Sequence, residues 1–285
     1  MHVTRSDDPD TFRAAVLPRL LDHEAHNCVI LGVLARVTDP ALRRPDEPLP
    51  LMAVVEDESG AVLAAATMNR PYPIVVSPSP TAAAAALAGH LAEHGIAVPG
   101  ITAEMATAQA FAESWVRRAG GQCRVDTRLG LYQLDQLVPP ATVPGNFRQA
   151  VVEDTAVLLP FAEGFYRDVR ESLPDAGRQL ERAIRERRLF VWCDSSGRIV
   201  SMAAFAGPTP NGIRVNFVFT PAELRGRGYA SNCVAALTRQ LLNSGRKLVF
   251  LFTDLTNPTS NRIYQAIGYR YLGEQQKILF ERSAR

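Results

Sequence analysis

The sequence lacks any excess of one charge. Lys and Arg together number 31 and Asp and Glu together number 29, which gives a formal net charge of +2. A strongly basic surface is the usual requirement for binding nucleic acids or anionic membranes, so neither partner is expected. The chain also lacks an apolar run of about 18 residues, the length that a transmembrane helix needs. No basic segment followed by an apolar one begins the sequence, so we predict a cytoplasmic protein without a signal peptide.

Cysteine is scarce as well. The four cysteines are far apart and form no Cys-x-x-Cys pair, so neither a disulfide framework nor a zinc site is expected. His23 and His26 are three residues apart, but no third ligand follows and the sequence is not His-Glu-x-x-His. We therefore expect no metal, and we interpret this stretch as a solvated or capping helix end.

The composition is that of a globular protein. The chain has 285 residues, of which 47% are hydrophobic and 21% charged, enough for one large or two ordinary domains. Three prolines in the segment 138–145 mark the best candidate for a linker. We expect an N-terminal domain at 1–138, a linker at 139–145 and a C-terminal domain at 146–285.

One stretch combines a strand, a glycine-rich turn and a helix. Residues 213–220 alternate in the manner of a strand, which Pro221 ends. Residues 231–242 have helical apolar spacing, and between them lies Arg225-Gly226-Arg227-Gly228. The first turn of a helix leaves N–H groups without partners at the positive end of its dipole, and glycines let a ligand approach them. This order predicts a site for a phosphate or pyrophosphate.

The glycines alone do not identify the ligand. No Gly-Lys-Ser/Thr follows them, so the loop is not a Walker A sequence, and Ser231 replaces the third glycine of the dinucleotide pattern. A tight turn between a strand and a helix explains a lone Gly-x-Gly equally well.

The wider context resembles a known family. Arg225-x-x-Gly228-x-Ala230, after a strand and opening a helix, is similar to the pyrophosphate loop of the GNAT superfamily of N-acetyltransferases, written Q/R-x-x-G-x-G/A. A second apolar strand follows at 247–254. The segment 257–269 then matches the family's Asn-x-x-Ser-x-x-x-Tyr helix and its Gly-Tyr ending. The resemblance covers roughly the last half of the chain.

The resemblance implies a cofactor site for acetyl-CoA, used as co-substrate. Backbone groups of the strand Phe217-Val218-Phe219 would bind the pantetheine arm and polarise the acetyl carbonyl. Asn261 matches the position that commonly bonds to the pantetheine arm. The pyrophosphate would lie against the loop formed by Arg225, Gly226, Arg227, Gly228, Tyr229 and Ala230.

The resemblance also implies a catalytic acid, Tyr264, which would protonate the leaving thiolate; a core tyrosine on an amphipathic helix is the structural alternative. Some family members have a carboxylate base on the strand before the loop, but here that strand carries Arg214 and Asn216. Asp254 and Glu163 are the candidate bases, although both residue types are more often structural or surface acids. Attack by an already neutral amine, with water carrying the proton, is the third option.

A weak internal repeat suggests a duplicated fold. Asp57-Glu58-Ser59-Gly60 parallels Asp194-Ser195-Ser196-Gly197, and each stretch precedes an alanine-rich strand. We predict an α/β (α+β) fold of two GNAT-like domains, each with a mixed, mostly antiparallel sheet flanked by helices. The matching loop of the first half, residues 77–81, has two prolines and neither glycine nor arginine. The first half is therefore predicted to be degenerate, with the working cofactor site in the second.

The expected activity is transfer of an acetyl group from acetyl-CoA to a primary amine of a small molecule or peptide. Two alternatives stay open. One is a non-catalytic acyl-CoA-binding or regulatory protein, and the other is transfer of a larger acyl or aminoacyl group.

Overall fold

The computed structural model describes residues 1–43, 47–169 and 175–281. The chain divides into two compact units. The first comprises Met1–Leu131, Gly207–Thr209 and the part of the chain that begins at Leu272, and the second comprises Tyr132–Ala206 and Pro210–Tyr271.

The first unit has a sheet with helices on both faces. Its first five strands and its helices are β1 His2–Ser6, α1 Pro9–Leu21, α2 Cys28–Thr38, β2 Leu51–Glu56, β3 Val62–Met68, β4 Ile74–Val76, α3 Thr81–Glu93, β5 Gly100–Glu104 and α4 Met105–Ala119, followed by β6 Gln122–Leu134. Strands β1 to β4 pair antiparallel in chain order, and β4 pairs parallel with β5. One buried core contains Leu87 of α3 and Phe111 of α4, and another contains Phe12 of α1 and Leu34 of α2.

The second unit repeats this order. Its elements are β7 Asn146–Gln149, α5 Thr155–Asp168, α6 Ala176–Arg185, β8 Leu189–Cys193, β9 Ile199–Ala206, β10 Gly212–Phe219, α7 Tyr229–Asn243, β11 Leu248–Asp254 and α8 Pro258–Ala266, followed by β12 Arg270–Glu281. Strands β7 to β10 pair antiparallel in chain order, and β10 pairs parallel with β11. Leu237 of α7 lies in one core and Leu158 of α5 in another.

The two halves share one succession of elements. In each, an antiparallel hairpin leads to a strand, a helix, a parallel strand, a second helix and a long last strand. The predicted mixed, mostly antiparallel sheets flanked by helices are therefore confirmed.

The compact units divide the chain differently from the boundaries proposed at 138 and 146. The part of β12 from Leu272 onward counts with the first unit, because β12 pairs antiparallel with β5 and places Gln276 opposite Ala103. Its Ile278 is buried in the same core as Leu87. The segment proposed as a linker belongs to the second unit, where the Ala141 carbonyl accepts a hydrogen bond of 3.0 Å from Asn232.

Helix α5 packs against Phe219 of β10 at Gly164. A Cβ atom there would lie 2.4 Å from Cζ of Phe219. Gly164→Ala is therefore expected to lower the free energy of unfolding by about 1–3 kcal/mol, since overpacking outweighs the gain in helix propensity. Urea denaturation measures this loss. The control is Gly177→Ala in α6, where the nearest atoms are 3.3 and 3.5 Å away. A Gly164→Ala variant as stable as Gly177→Ala would contradict the expectation.

Candidate cofactor and catalytic site

The candidate site begins at an irregularity in β10. The pairing with β9 shifts between Asn216, opposite Ala204, and Phe219, opposite Met202, so β10 has one extra residue there. Phe217 within this bulge has a positive φ of 54°, a conformation that is costly for a bulky residue. A bulge removes backbone groups from the sheet's hydrogen bonding and redirects them. The strand that the resemblance assigns to the pantetheine arm therefore has its backbone distorted at Phe217.

On its other side, β10 separates from β11. The two strands pair only from Gly212 to Arg214, opposite Leu248 to Phe250, although β10 continues to Phe219 and β11 to Asp254. Backbone groups of β10 beyond residue 214 therefore face β11 without a pairing partner on it. Such groups can bind the amides of an extended ligand in the way that an added strand would.

Helix α7 begins at the end of this opening. Gly226 and Gly228 have φ values of 77° and 78°, in the region that favours glycine. Gly228 is the N-cap residue, and no side chain caps the helix. The first-turn N–H groups of α7 therefore lack a capping side chain, as an anion site at a helix start requires.

The two arginines of the loop already have partners. Arg225 donates to the Thr220 carbonyl at 2.9 Å and to the Asp168 carboxylate at 2.6 Å. Arg227 donates to the Glu223 carbonyl at 3.3 Å. Asp168 is 57 residues away along the chain, and no sequence pattern indicated it. The phosphate-binding roles of Arg225 and Arg227 stay predictions, and Arg225 also fixes the loop to the end of α5.

Tyr264 is buried in the core between the sheet and helices α7 and α8. Val218 and Tyr229 pack against the same cluster. The Tyr264 ring meets Tyr269 edge-on at 6.0 Å between ring centroids. Burial raises the pKa of Tyr264 well above its ordinary value. Both the acid role and the core role are compatible with this position.

Asp254, the last residue of β11, and Asn261 of α8 are hydrogen-bonded to each other across the turn between these elements. The Asp254 carboxylate accepts hydrogen bonds of 2.8 Å from the backbone N–H and the hydroxyl of Thr256. The Asn261 amide donates to the Asp254 and Asn257 carbonyls at 3.1 and 2.8 Å, and its Oδ1 accepts a bond from Tyr132. These bonds give both side chains a structural role, and their proposed functional roles stay predictions. Glu163 lies exposed on α5.

The equivalent loop in the first half is closed by hydrogen bonds. The Ser79 N–H donates to the Thr107 hydroxyl at 3.4 Å, and that hydroxyl donates to the Ser79 carbonyl at 3.2 Å. Helix α4 also follows β5 directly at Met105, without the turn at 255–257 that separates β11 from α8. These features fit the prediction that the first half lacks a cofactor site.

Within the described ranges, no group of three or more His, Cys, Asp or Glu side chains is placed to hold a metal ion. None of the helices in this part of the chain combines the length and apolarity needed to cross a membrane.

Comparison with known proteins gives a family match within the second half. Residues 158–269 match the model of the acetyltransferase (GNAT) family. A search of curated protein sequences found no relative of the chain.

Solved structures share the architecture of the whole chain. A tandem GNAT protein from the clavulanic acid biosynthesis pathway is 14% identical with a TM-score of 0.59, covering 100% of this chain and 99% of its own. A GCN5-related N-acetyltransferase from Sphaerobacter thermophilus is 18% identical with a TM-score of 0.61, covering 97% and 94%. A Drosophila protein is 13% identical with a TM-score of 0.67, covering 99% of both chains. At these identities the likeness establishes the fold.

Proposed function

We propose that the protein is a transferase that moves an acetyl group from acetyl-CoA to a primary amine of a small molecule or peptide. The match of residues 158–269 to the acetyltransferase (GNAT) family supports this proposal. A cytoplasmic location is part of this proposal.

The observation that carries the proposal is the continuity of three features in the second unit. The β10 bulge at Phe217, the separation of β10 from β11 and the positive-φ glycines before α7 follow one another along the chain. The bulge and the strand separation leave backbone groups available to bind the pantetheine amides. The glycines before α7 present N–H groups to a pyrophosphate. Acetyl-CoA has the same order of groups, with a thioester, a long arm that contains amides, and a diphosphate.

Chemistry at the thioester needs no resident cofactor. The amine nitrogen attacks the acetyl carbonyl, so that a C–N bond forms while the C–S bond breaks. Backbone N–H groups beside Phe217 stabilise the developing oxyanion. The departing thiolate takes a proton from Tyr264, the nitrogen loses one proton to water, and water returns a proton to Tyr264.

The proposal assigns no carboxylate base. Strand β10 carries none, and the Asp254 carboxylate is bonded within its own turn. A lysine-like amine has a pKa near 10.4, so a small neutral fraction exists at neutral pH. The rate is then expected to rise with pH as that fraction grows.

The absence of a carboxylate on β10 also favours a second candidate, a protein that binds acyl-CoA without turnover. It predicts cofactor binding of equal strength but no release of free CoA when amines are added.

Isothermal titration calorimetry with acetyl-CoA tests the binding step. We expect about one molecule per chain, because only the second half has the glycine loop. About two molecules would show that the first half also binds, and no binding would remove the acetyltransferase proposal. Thiol release with an amine panel then separates the enzyme from the non-catalytic binder. A longer acyl-CoA that outperforms acetyl-CoA would favour transfer of a larger group.

A further inference from the structure

Two polar side chains of β10, Arg214 and Asn216, lie on one face of the sheet. Residues two apart on a strand point to the same side. Asn216 is opposite Ala204, which belongs to the core beneath α5 and α6, whereas the intervening Val215 belongs to the core beneath α7. Arg214 and Asn216 therefore face the side of α5 and α6.

Neither side chain is satisfied by the part of the chain that the structure describes. Asn216 Oδ1 is buried and has no hydrogen-bond partner there. Arg214 is half-buried, and within the described ranges it makes no ion pair or hydrogen bond. Burying an unpaired polar group costs free energy, and buried charges are normally paired. Two such groups on one strand face indicate that a ligand supplies their missing hydrogen-bond partners.

Two acidic groups of α5 and its preceding turn are engaged by other arginines, and Glu163 of α5 is exposed. Asp168 pairs with Arg225 at 2.6 Å, and Asp154 pairs with Arg148 at 2.6 Å. Within the described ranges no carboxylate makes an ion pair with Arg214, so its guanidinium can bind an anionic group of a ligand. A guanidinium binds a carboxylate through two parallel hydrogen bonds.

Because Arg214 and Asn216 lie at different distances from the bulge, they would bind different parts of one ligand. Asn216 immediately precedes Phe217, whose bulge lies where the proposal places the acetyl carbonyl. Arg214 is two residues back, about 7 Å along the strand. An amine held by the Asn216 carboxamide and an anion held by Arg214 would be a few bonds apart in one small molecule.

From this arrangement we infer that the acceptor is a small amine that carries a carboxylate, as an amino acid does. Arg214 binds the carboxylate, and Asn216 Oδ1 accepts a hydrogen bond from the amine and holds it towards the thioester. This inference rests on the proposed acetyl transfer and names its acceptor class.

The test compares alanine, phenylalanine and glutamate with the corresponding α-carboxamides as acceptors. Acetyl-CoA is the donor, and the release of free thiol is measured. We expect wild-type kcat/KM to favour the free acids by about thirtyfold or more, as expected for hydrogen bonds between charged groups. Arg214→Met should remove that preference by lowering kcat/KM for the free acids towards the value for the amides. Arg214→Lys should retain part of it, because an ammonium binds carboxylates without the bidentate geometry.

The control is Arg239→Met, which removes an exposed arginine of α7 and should leave the preference intact. Asn216→Leu should lower kcat by about tenfold or more for free acids and amides alike, because it loses the amine contact and keeps the carboxylate contact. Equal use of acids and amides by the wild type, or an unchanged preference in Arg214→Met, overturns the inference and leaves acetyl transfer standing. Failure to bind acetyl-CoA overturns both.

Discussion

Replacing Gly228 with Asp is expected to raise the Kd for acetyl-CoA by about a hundredfold or more, which corresponds to about 2.7 kcal/mol. Gly228 is the N-cap of α7 with φ of 78°, and the proposed pyrophosphate lies against the N–H groups that follow. A carboxylate there would take those N–H groups for itself and repel the phosphates. Calorimetry of both proteins under one buffer and salt condition measures the change.

Two further variants separate the effect of the added negative charge on acetyl-CoA affinity from the effect of the added side-chain volume. Gly197→Asp makes the same substitution at a hairpin glycine with φ of 83° and no atom within 4 Å of a new Cβ, so it should leave Kd unchanged. Gly228→Ala adds only a methyl group, which would lie 2.9 Å from Cγ1 of Val143, and should cost far less affinity than Asp. If Gly228→Asp binds acetyl-CoA as tightly as Gly197→Asp does, the cofactor is held elsewhere.

The local part of this site could be predicted from the sequence. The alternation before Pro221, the glycines at 226 and 228 and the helical spacing after them depend only on neighbours along the chain. The duplicated fold followed from the same patterns found twice, and the loop at 77–81 differed through its prolines. Each of these inferences concerned conformations that residues adopt for local steric reasons.

The features of the fold and the site that could not be predicted from the sequence depend on tertiary contacts. The pairing of β12 with β5 joins segments about 175 residues apart along the chain, and the Arg225–Asp168 ion pair joins α5 to the glycine loop. The positive φ of Phe217 is imposed by the sheet, since no sequence pattern selects that conformation for phenylalanine. The unsatisfied Asn216 Oδ1 is equally invisible in a sequence, because burial and missing partners are properties of the folded chain.

The second large effect is expected for Tyr264→Phe. If Tyr264 protonates the leaving thiolate, removing its hydroxyl should lower kcat by about a hundredfold and leave the Kd for acetyl-CoA unchanged, since the ring still fills the core. Burial raises the pKa of Tyr264 above the ordinary tyrosine value near 10. The phenol therefore stays protonated at pH values where an exposed tyrosine would ionise. A pH–rate profile should therefore show no loss of the acid below pH 10, and the variant's profile should be lower at every pH with the same shape.

Tyr269→Phe is the matched control, because Tyr269 is also buried and its ring packs edge-on against Tyr264. Its hydroxyl lies 2.9 Å from the Thr238 hydroxyl, so losing it should reduce stability by about 1 kcal/mol and spare kcat. Thermal unfolding and thiol release on both variants separate the two effects. A Tyr264→Phe enzyme with wild-type kcat would make Tyr264 a core residue, and the thiolate would then be protonated by solvent. Equal losses of kcat in both variants would instead indicate a disturbed core.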